Sequence, residues 1–196
     1  MSSVSASATK VKAALKEWAV VVEALALGHQ MFLLRKGGIA EGRRGFELRH
    51  REFVFFPTWE HQQRDLIKPA YSELFASLEP RDPEIIPFQY FAQVTDVVEA
   101  PTQIEQFASL RAFHIWAQPY IDLRYKYRPD LPLFIVLVRI HRLPATIPLP
   151  NDRRYRGCRS WVELSDDVSS DNAQPLASDA EFASRRSSLL AAIEEK

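Results

Sequence analysis

An α+β fold, built on a mixed and partly barrel-like sheet with flanking helices and a C-terminal tail helix, is predicted by three features of the 196-residue chain. The segment "LPLFIVLVRIHRLP" (131–144) is almost continuously apolar and bounded by prolines, as a central strand is. "FQYFAQVTDVV" (88–98) alternates Tyr90, Ala92 and Val94 with more polar neighbours, the two-residue period of a strand with one buried face. Around them, segments of helical spacing recur without a regular strand–helix–strand rhythm, which favours α+β over a doubly wound parallel sheet.

Each remaining element has its own signal. "MSSVSASAT" (1–9) is small and polar, a disordered N-terminus. Val11, Leu15, Trp18, Val22 and Leu25 keep helical spacing and predict a helix up to a stop at Gly28, although the β-branched run Val20 to Val22 suits a strand equally well. "QMFLLRK" (30–36) reads as a short buried strand ending at Gly37-Gly38. Phe46 and Leu48 alternate on one face, while Phe53 and Phe55 continue one residue out of step, so a bulge or tight turn is expected within "RHRE" (49–52). Thr58 is the expected N-cap of a helix from Trp59 to about Leu78, kinked at Pro69, and "EPRDPEIIP" (79–87) is a loop. "TQIEQFASLRAF" (102–113) returns to helical spacing, as do Tyr120, Leu123 and Tyr127 before a Pro-Asp stop. "CRSWVEL" (158–164) supplies a last strand. "SDDVSSDNAQPLAS" (165–178) has linker composition, and Ser178 with Glu181 forms a capping box for a final helix. One globular domain over 10–164, followed by an acidic linker and helix over 165–196, is the expected organisation.

Composition narrows the function classes. With 46% hydrophobic residues the chain can bury a sizeable core, which excludes disordered and fibrous classes. The longest apolar runs are about half the ~20 residues that cross a bilayer, and the N-terminus lacks a signal peptide's basic-then-apolar order, so a cytoplasmic protein without membrane partners is expected. Cys158 is the only cysteine, which rules out an intrachain disulfide and a multi-thiolate zinc site. Zero net charge conceals an asymmetry: Lys and Arg outnumber Asp and Glu by 22 to 18 in residues 1–164 and are outnumbered 3 to 7 beyond. That is either an ordinary solvated surface or a mildly basic body suited to polyanions.

No intact catalytic or cofactor signature is present, and no cofactor is expected. His50 and Glu52 lie two apart, the spacing that points two strand side chains the same way, and His61 follows closely enough to complete a three-ligand divalent-metal site. Solvated polar residues give the same pattern. The H-x-E of "HRE" lacks the P-C-x-x-C that a zinc deaminase needs, and no phosphate-binding loop occurs. Glu47-Leu48-Arg49 has arginine where a nuclease motif would carry lysine. Cys158 is a candidate nucleophile beside Arg156 and Arg159, or a core residue beside Trp161. What stands out is basic residues interleaved with rings and glycines. Arg35, Lys36, Arg49, Arg124 and Lys126 are candidate phosphate contacts, Gly37 and Gly38 would permit close approach, and Trp59 or Tyr125 would stack on a base.

The words "KEWAVVVEAL", "LLRKGGI", "REFVFFPTWEHQ" and "YRGCRSWVEL" together resemble the bacterial domain-of-unknown-function family 1802, over roughly residues 14 to 164. That resemblance implies no activity. In architecture, the helix leading into "ALGHQMFLLRKGG" is similar to the "l-x-G-x-K-x-x-E-x-R" entry of PUA-like domains, including the ASCH and EVE groups, with Leu33 where the glutamate would stand. This second resemblance implies a reader of RNA or modified bases. The expected function is therefore non-catalytic binding of nucleic acid or another phosphate-bearing ligand through basic loops. A metal-dependent enzyme using His50, Glu52 and His61, and a protein-interaction module whose C-terminal helix docks a partner, are the alternatives.

Overall fold

The first apolar segment divides in two. In the computed structural model, which describes residues 10–36, 47–78, 82, 84–157 and 159–194, it forms strand β1 (Lys10–Trp18) and helix α1 (Ala19–Ala26). Spacing of four puts two side chains on one helix face, but it also puts them on one face of a regular strand. Here a register shift between Val11 and Ala13 breaks that regularity, so Val11 packs on one side of the sheet and Leu15 on the other. The valine triplet, in turn, is helical because α1 is buried nearly all round: Ala19, Val20, Val21, Val22, Ala24 and Leu25 are all inside. Burial there overrides the modest propensity cost of β-branching.

Gly28 ends the helix as expected. Its φ of +76° allows the Gly28 amide to reach Leu25 O at 3.2 Å and the His29 amide to reach Ala24 O at 2.8 Å, the paired bonds of a Schellman motif. Strand β2 (Phe32–Arg35) follows, then β3 (Glu52–Thr58). Phe53 and Phe55 enter the larger core while Val54 and Phe56 enter the smaller one on the opposite face, so β3 is apolar on both sides. Leu48 precedes the strand, and Phe46 lies outside the described residues.

The single helix expected after Thr58 is replaced by short pieces. Two 3₁₀ turns (Arg64–Leu66 and Pro69–Tyr71) lead into α2 (Ser72–Ser77). Pro69 forces Lys68 into an extended conformation, and Ile67 is captured in a β-bridge with Trp116. Thr58 does not cap; its hydroxyl donates to Glu17 O at 3.2 Å. Strand β4 (Ile85–Glu99) begins inside the expected loop, and a 3₁₀ segment (Ile104–Phe113) and α3 (Gln118–Lys126) precede β5 (Phe134–Pro150).

The expected linker takes structure. β6 (Trp161–Ser169) pairs with β1 as far as Lys10↔Ser169, its Val168 fully buried, and β7 (Gln174–Pro175) pairs with β5. A lone valine among polar residues reads as linker in composition but as an anchor once its neighbours face outward. Helix α4 (Asp179–Glu194) then packs on its own chain rather than standing free. Ser178 Oγ accepts the Glu181 amide at 3.2 Å, Leu189 is in the larger core, and Arg186 forks onto the Asp96 carboxylate, holding that carboxyl below its usual range.

The sheet order is β2-β5-β4-β3-β1-β6 with β7 beside β5, and only β1 and β3 run parallel. It is mixed, as the sequence predicts, and among the described residues it is not closed into a barrel. It is curled, however. Arg35 at the end of β2 reaches across to β1, donating to Glu17 Oε2 at 2.9 Å and Lys16 O at 3.1 Å, although no ladder joins these strands. Their side chains are only 13% and 10% exposed. Removing one partner strands the other's charge, so Arg35→Ala is expected to cost about 3 kcal/mol in denaturant unfolding. The double change Arg35→Met with Glu17→Gln should recover most of that loss; equal destabilisation in both would contradict the pairing.

A second consequence concerns acid. His114 is buried against Phe32, Phe107 and Trp116, and burial first, then the nearby Lys68 charge, lower its pKa to about 3. The folded chain therefore resists protonation while the unfolded chain accepts it near pH 6.5. Stability tied to this residue is complete above pH 6.5 and is lost as pH falls towards 3, a total on the order of 3 to 5 kcal/mol. Urea unfolding at pH 7, 5.5 and 4.5 should show a shallower decline in His114→Phe than in the unchanged chain. Parallel declines would show that His114 is not the group responsible.

Candidate functional site

A cleft of about 430 Å³ lies between α1, the β3–β4 pair and the end of α2. α1 contributes Val22 and Glu23, β3 contributes Phe55 and Pro57, and Trp59 lies just beyond that strand. Ser77, Leu78 and Asp82 form one side, and Ile85, Pro87, Gln89 and Tyr90 of β4 form another. Consecutive residues of a regular strand face opposite ways, yet Gln89 and Tyr90 both line the cleft. A register shift between Phe88 and Tyr90, where β4 pairs with β5, makes this possible.

The walls are held by hydrogen bonds. The Trp59 indole N–H donates to Leu78 O, fixing the ring against the end of α2. The Tyr90 hydroxyl donates to Glu23 Oε2 at 2.9 Å. Burial, with the Glu23 carboxylate beside it, pushes the Tyr90 phenol up to about 12, so it remains protonated throughout the neutral range. On the same tyrosine the Arg142 guanidinium sits 5.4 Å from the ring centroid. Three aromatic rings and a few polar groups in a cleft of this size suit a flat organic ring.

The basic residues singled out by sequence have a different fate. Arg35, Lys36, Arg124 and Tyr125 are brought together where β2 meets the end of α3, and each gives at least one donor to the chain itself, while Arg35 Nε and Arg124 Nε are buried without a partner. Lys36 is only 3% exposed and its Nζ donates to Tyr125 O at 2.9 Å and Arg124 O at 3.3 Å, capping the last turn of α3. Burial, and then the Arg124 charge, lower its pKa. Arg124 Nη2 returns a bond to Leu34 O at 3.3 Å, and Tyr125 OH donates to Pro101 O at 2.6 Å. Burial raises the Tyr125 phenol to about 12. Arg49 and Lys126 are exposed, and Gly37, Gly38 and Cys158 lie outside the described residues. Of the proposed ligand contacts among the described residues, Trp59 alone lines the cleft.

The metal triad is not assembled. His50 and Glu52 stand at the start of β3 and His61 beyond its far end, so ~20 Å of strand separates them at about 3.3 Å per residue. His50 packs edge-on against Trp161, and Glu52 Oε1 accepts the Gln93 amide at 3.0 Å. His61 is exposed with φ of +64°. Among the described residues no group of three His, Cys, Asp or Glu side chains is placed to hold a metal ion.

Sequence reasoning passed over Glu23, Gln89 and Tyr90. Glu23 did carry a signal: it is the only charged residue in "WAVVVEALAL", and a lone carboxylate in an apolar run needs a partner or a purpose. A smaller cavity of about 300 Å³ lies between α1, β5 and α4, but its Arg139 is paired with Asp179 and its Arg185 donates to Gly28 O at 2.6 Å.

No curated protein matches the chain. Among solved structures it is similar to the ASCH protein of Zymomonas mobilis, at 12% identity and a TM-score of 0.45, covering 78% of this chain and 86% of that one. A tyrosine-to-phenylalanine variant of the same protein matches at 11% identity and a TM-score of 0.45, covering 90% and 96%. Its serine-to-alanine variant gives 11% and 0.43, covering 90% and 94%. The family model described as "Domain of unknown function (DUF1802)" matches residues 14–188, from β1 through most of α4, and the chain belongs to that family.

Proposed function

We propose that this chain is a non-catalytic binding domain for a nucleotide or single-stranded nucleic acid, one base of which sits in the cleft between α1, β3 and β4. The observation that carries this reading is the cleft itself, where Phe55, Trp59 and Tyr90 surround a pair of hydrogen-bonded polar groups. Stacking on an aromatic ring is tolerant of base identity and is worth about 1–3 kcal/mol per base, while polar groups at the floor fix orientation. The exposed Arg142, beside the same tyrosine, would meet a phosphate in this reading.

This reading keeps the ligand class predicted from sequence and relocates its contacts. Arg35, Lys36 and Arg124 hydrogen-bond within the chain, and among the described residues Arg142 is the cation beside the cleft's tyrosine, so affinity should depend only weakly on salt, with a slope of about −1 to −2 in a log–log plot. The metal-enzyme alternative is not favoured, because its three candidate residues lie apart.

Calorimetric titration with the four ribonucleoside monophosphates and a short single-stranded RNA tests the reading. Binding of at least one of these, weakened about tenfold or more in Trp59→Ala and largely retained in Trp59→Phe, is the expected result. Absence of binding to every one of them, or affinities unaffected by Trp59→Ala in a folded variant, would remove the proposal.

A further inference from the structure

We infer that the cleft selects a base bearing an exocyclic amino group over one whose corresponding position is a carbonyl; this rests on the proposed seating of a base there. The fold leaves a ligand only part of the lining's hydrogen-bonding capacity. Trp59 has one N–H, and it is spent on Leu78 O. Tyr90 has one O–H, and it is spent on Glu23 Oε2. Ser77 has one O–H, donated to Leu74 O at 2.9 Å. Each hydroxyl thus meets a ligand as an acceptor.

The two carboxylates add only acceptors. Glu23 receives Tyr90 on Oε2 and has no other side-chain donor among the described residues; Asp82 receives the Glu84 amide on Oδ1 at 2.9 Å. Among the described residues no lysine, arginine or histidine lines the cleft. Among them the Gln89 carboxamide is the one lining side chain with N–H groups left to offer. The described lining is therefore richer in acceptors than in donors.

A base that presents an amino group satisfies such a site, and a carboxylate accepting from the amino group of cytosine is a recognised pairing. A base presenting a carbonyl there faces carboxylate oxygens and lone pairs with no proton between them, and leaves those groups desolvated without a partner. Sites built around a hydrogen bond reject analogues lacking it far more strongly than apolar pockets reject a missing methylene. Cytosine and uracil are nearly the same shape and form the closest comparison: uracil has a carbonyl in place of the amino group and carries a proton on the neighbouring N3, so the comparison reads the exocyclic amino group and that ring edge together.

Cytidine and uridine monophosphates, titrated separately into the unchanged full chain, test the inference without relying on a variant. The expected result is at least tenfold tighter binding of the cytidine nucleotide. Glu23→Gln, which keeps an acceptor for Tyr90 and adds an N–H donor, should reduce that ratio by at least threefold, with folding checked by thermal unfolding. Equal affinity for the two nucleotides, or preference for uridine, would overturn the selectivity while leaving a base-binding cleft in place. Failure of all four monophosphates and of the RNA to bind would defeat the parent reading and this inference with it.

Discussion

One carboxylate at the corner between β1 and α1 organises the molecule. Glu17 Oε1 accepts the Trp18 amide at 2.8 Å and Oε2 accepts Arg35, while its backbone oxygen receives Thr58. A strand, the helix that follows it, a parallel neighbour and the far edge of the sheet are thereby joined at a single residue. Sheets twist because their strands do, but twist alone does not bring two non-adjacent strands within side-chain reach. The buried ion pair fixes that approach, and its desolvation is tolerable because further hydrogen bonds accompany the charge contact. From this corner α1 departs across β3 and β4, and Val22 and Glu23 come to face Phe55 and Tyr90.

The same economy governs the other cations. Lys36 follows Arg35 directly, and where one reaches β1 the other reaches the last carbonyls of α3. A helix C-terminus carries partial negative charge and unsatisfied oxygens, so a lysine there is served by the protein's own anion-like group. Arg124 answers from α3 with its bond to Leu34 O, making a reciprocal clasp. Basic residues beside glycines at a strand end thus satisfy two physical descriptions equally, a phosphate grip and a helix clasp. The position of α3, separated by some ninety residues in sequence, supplies the clasp.

What was legible in the sequence follows the range of the interactions concerned. β4, β5, Gly28 and the Ser178 cap depend on local period or local geometry, and all were readable from a few neighbouring residues. β1, β7 and the broken segment after Thr58 depend on partners far along the chain: β1 on ladders to β3 and β6, Ile67 on Trp116. Helical spacing in β1 was mimicked by a bulge, which no local pattern reveals. In the site, Trp59 was accessible to reasoning because an aromatic residue beside a turn is conspicuous. Tyr90 was not, since only the register shift in β4 turns it to the face that Ile85, Pro87 and Gln89 share.

The cleft's chemistry is set by bonds whose first purpose is structural. Trp59 must give its N–H to Leu78 to hold the ring in place, and Tyr90 must give its proton to Glu23 because a buried phenol without a partner would cost stability. Once these donors are committed to the scaffold they cannot serve a ligand. An acceptor-rich surface is what a cleft becomes when its rigid rings are secured through their own protons and its charged residues are carboxylates. Rigidity and the proposed preference therefore share one origin: the hydrogen bonds that hold Trp59 and Tyr90 in place also use the protons these two side chains could have offered a ligand, leaving Gln89 as the described lining side chain that still has them.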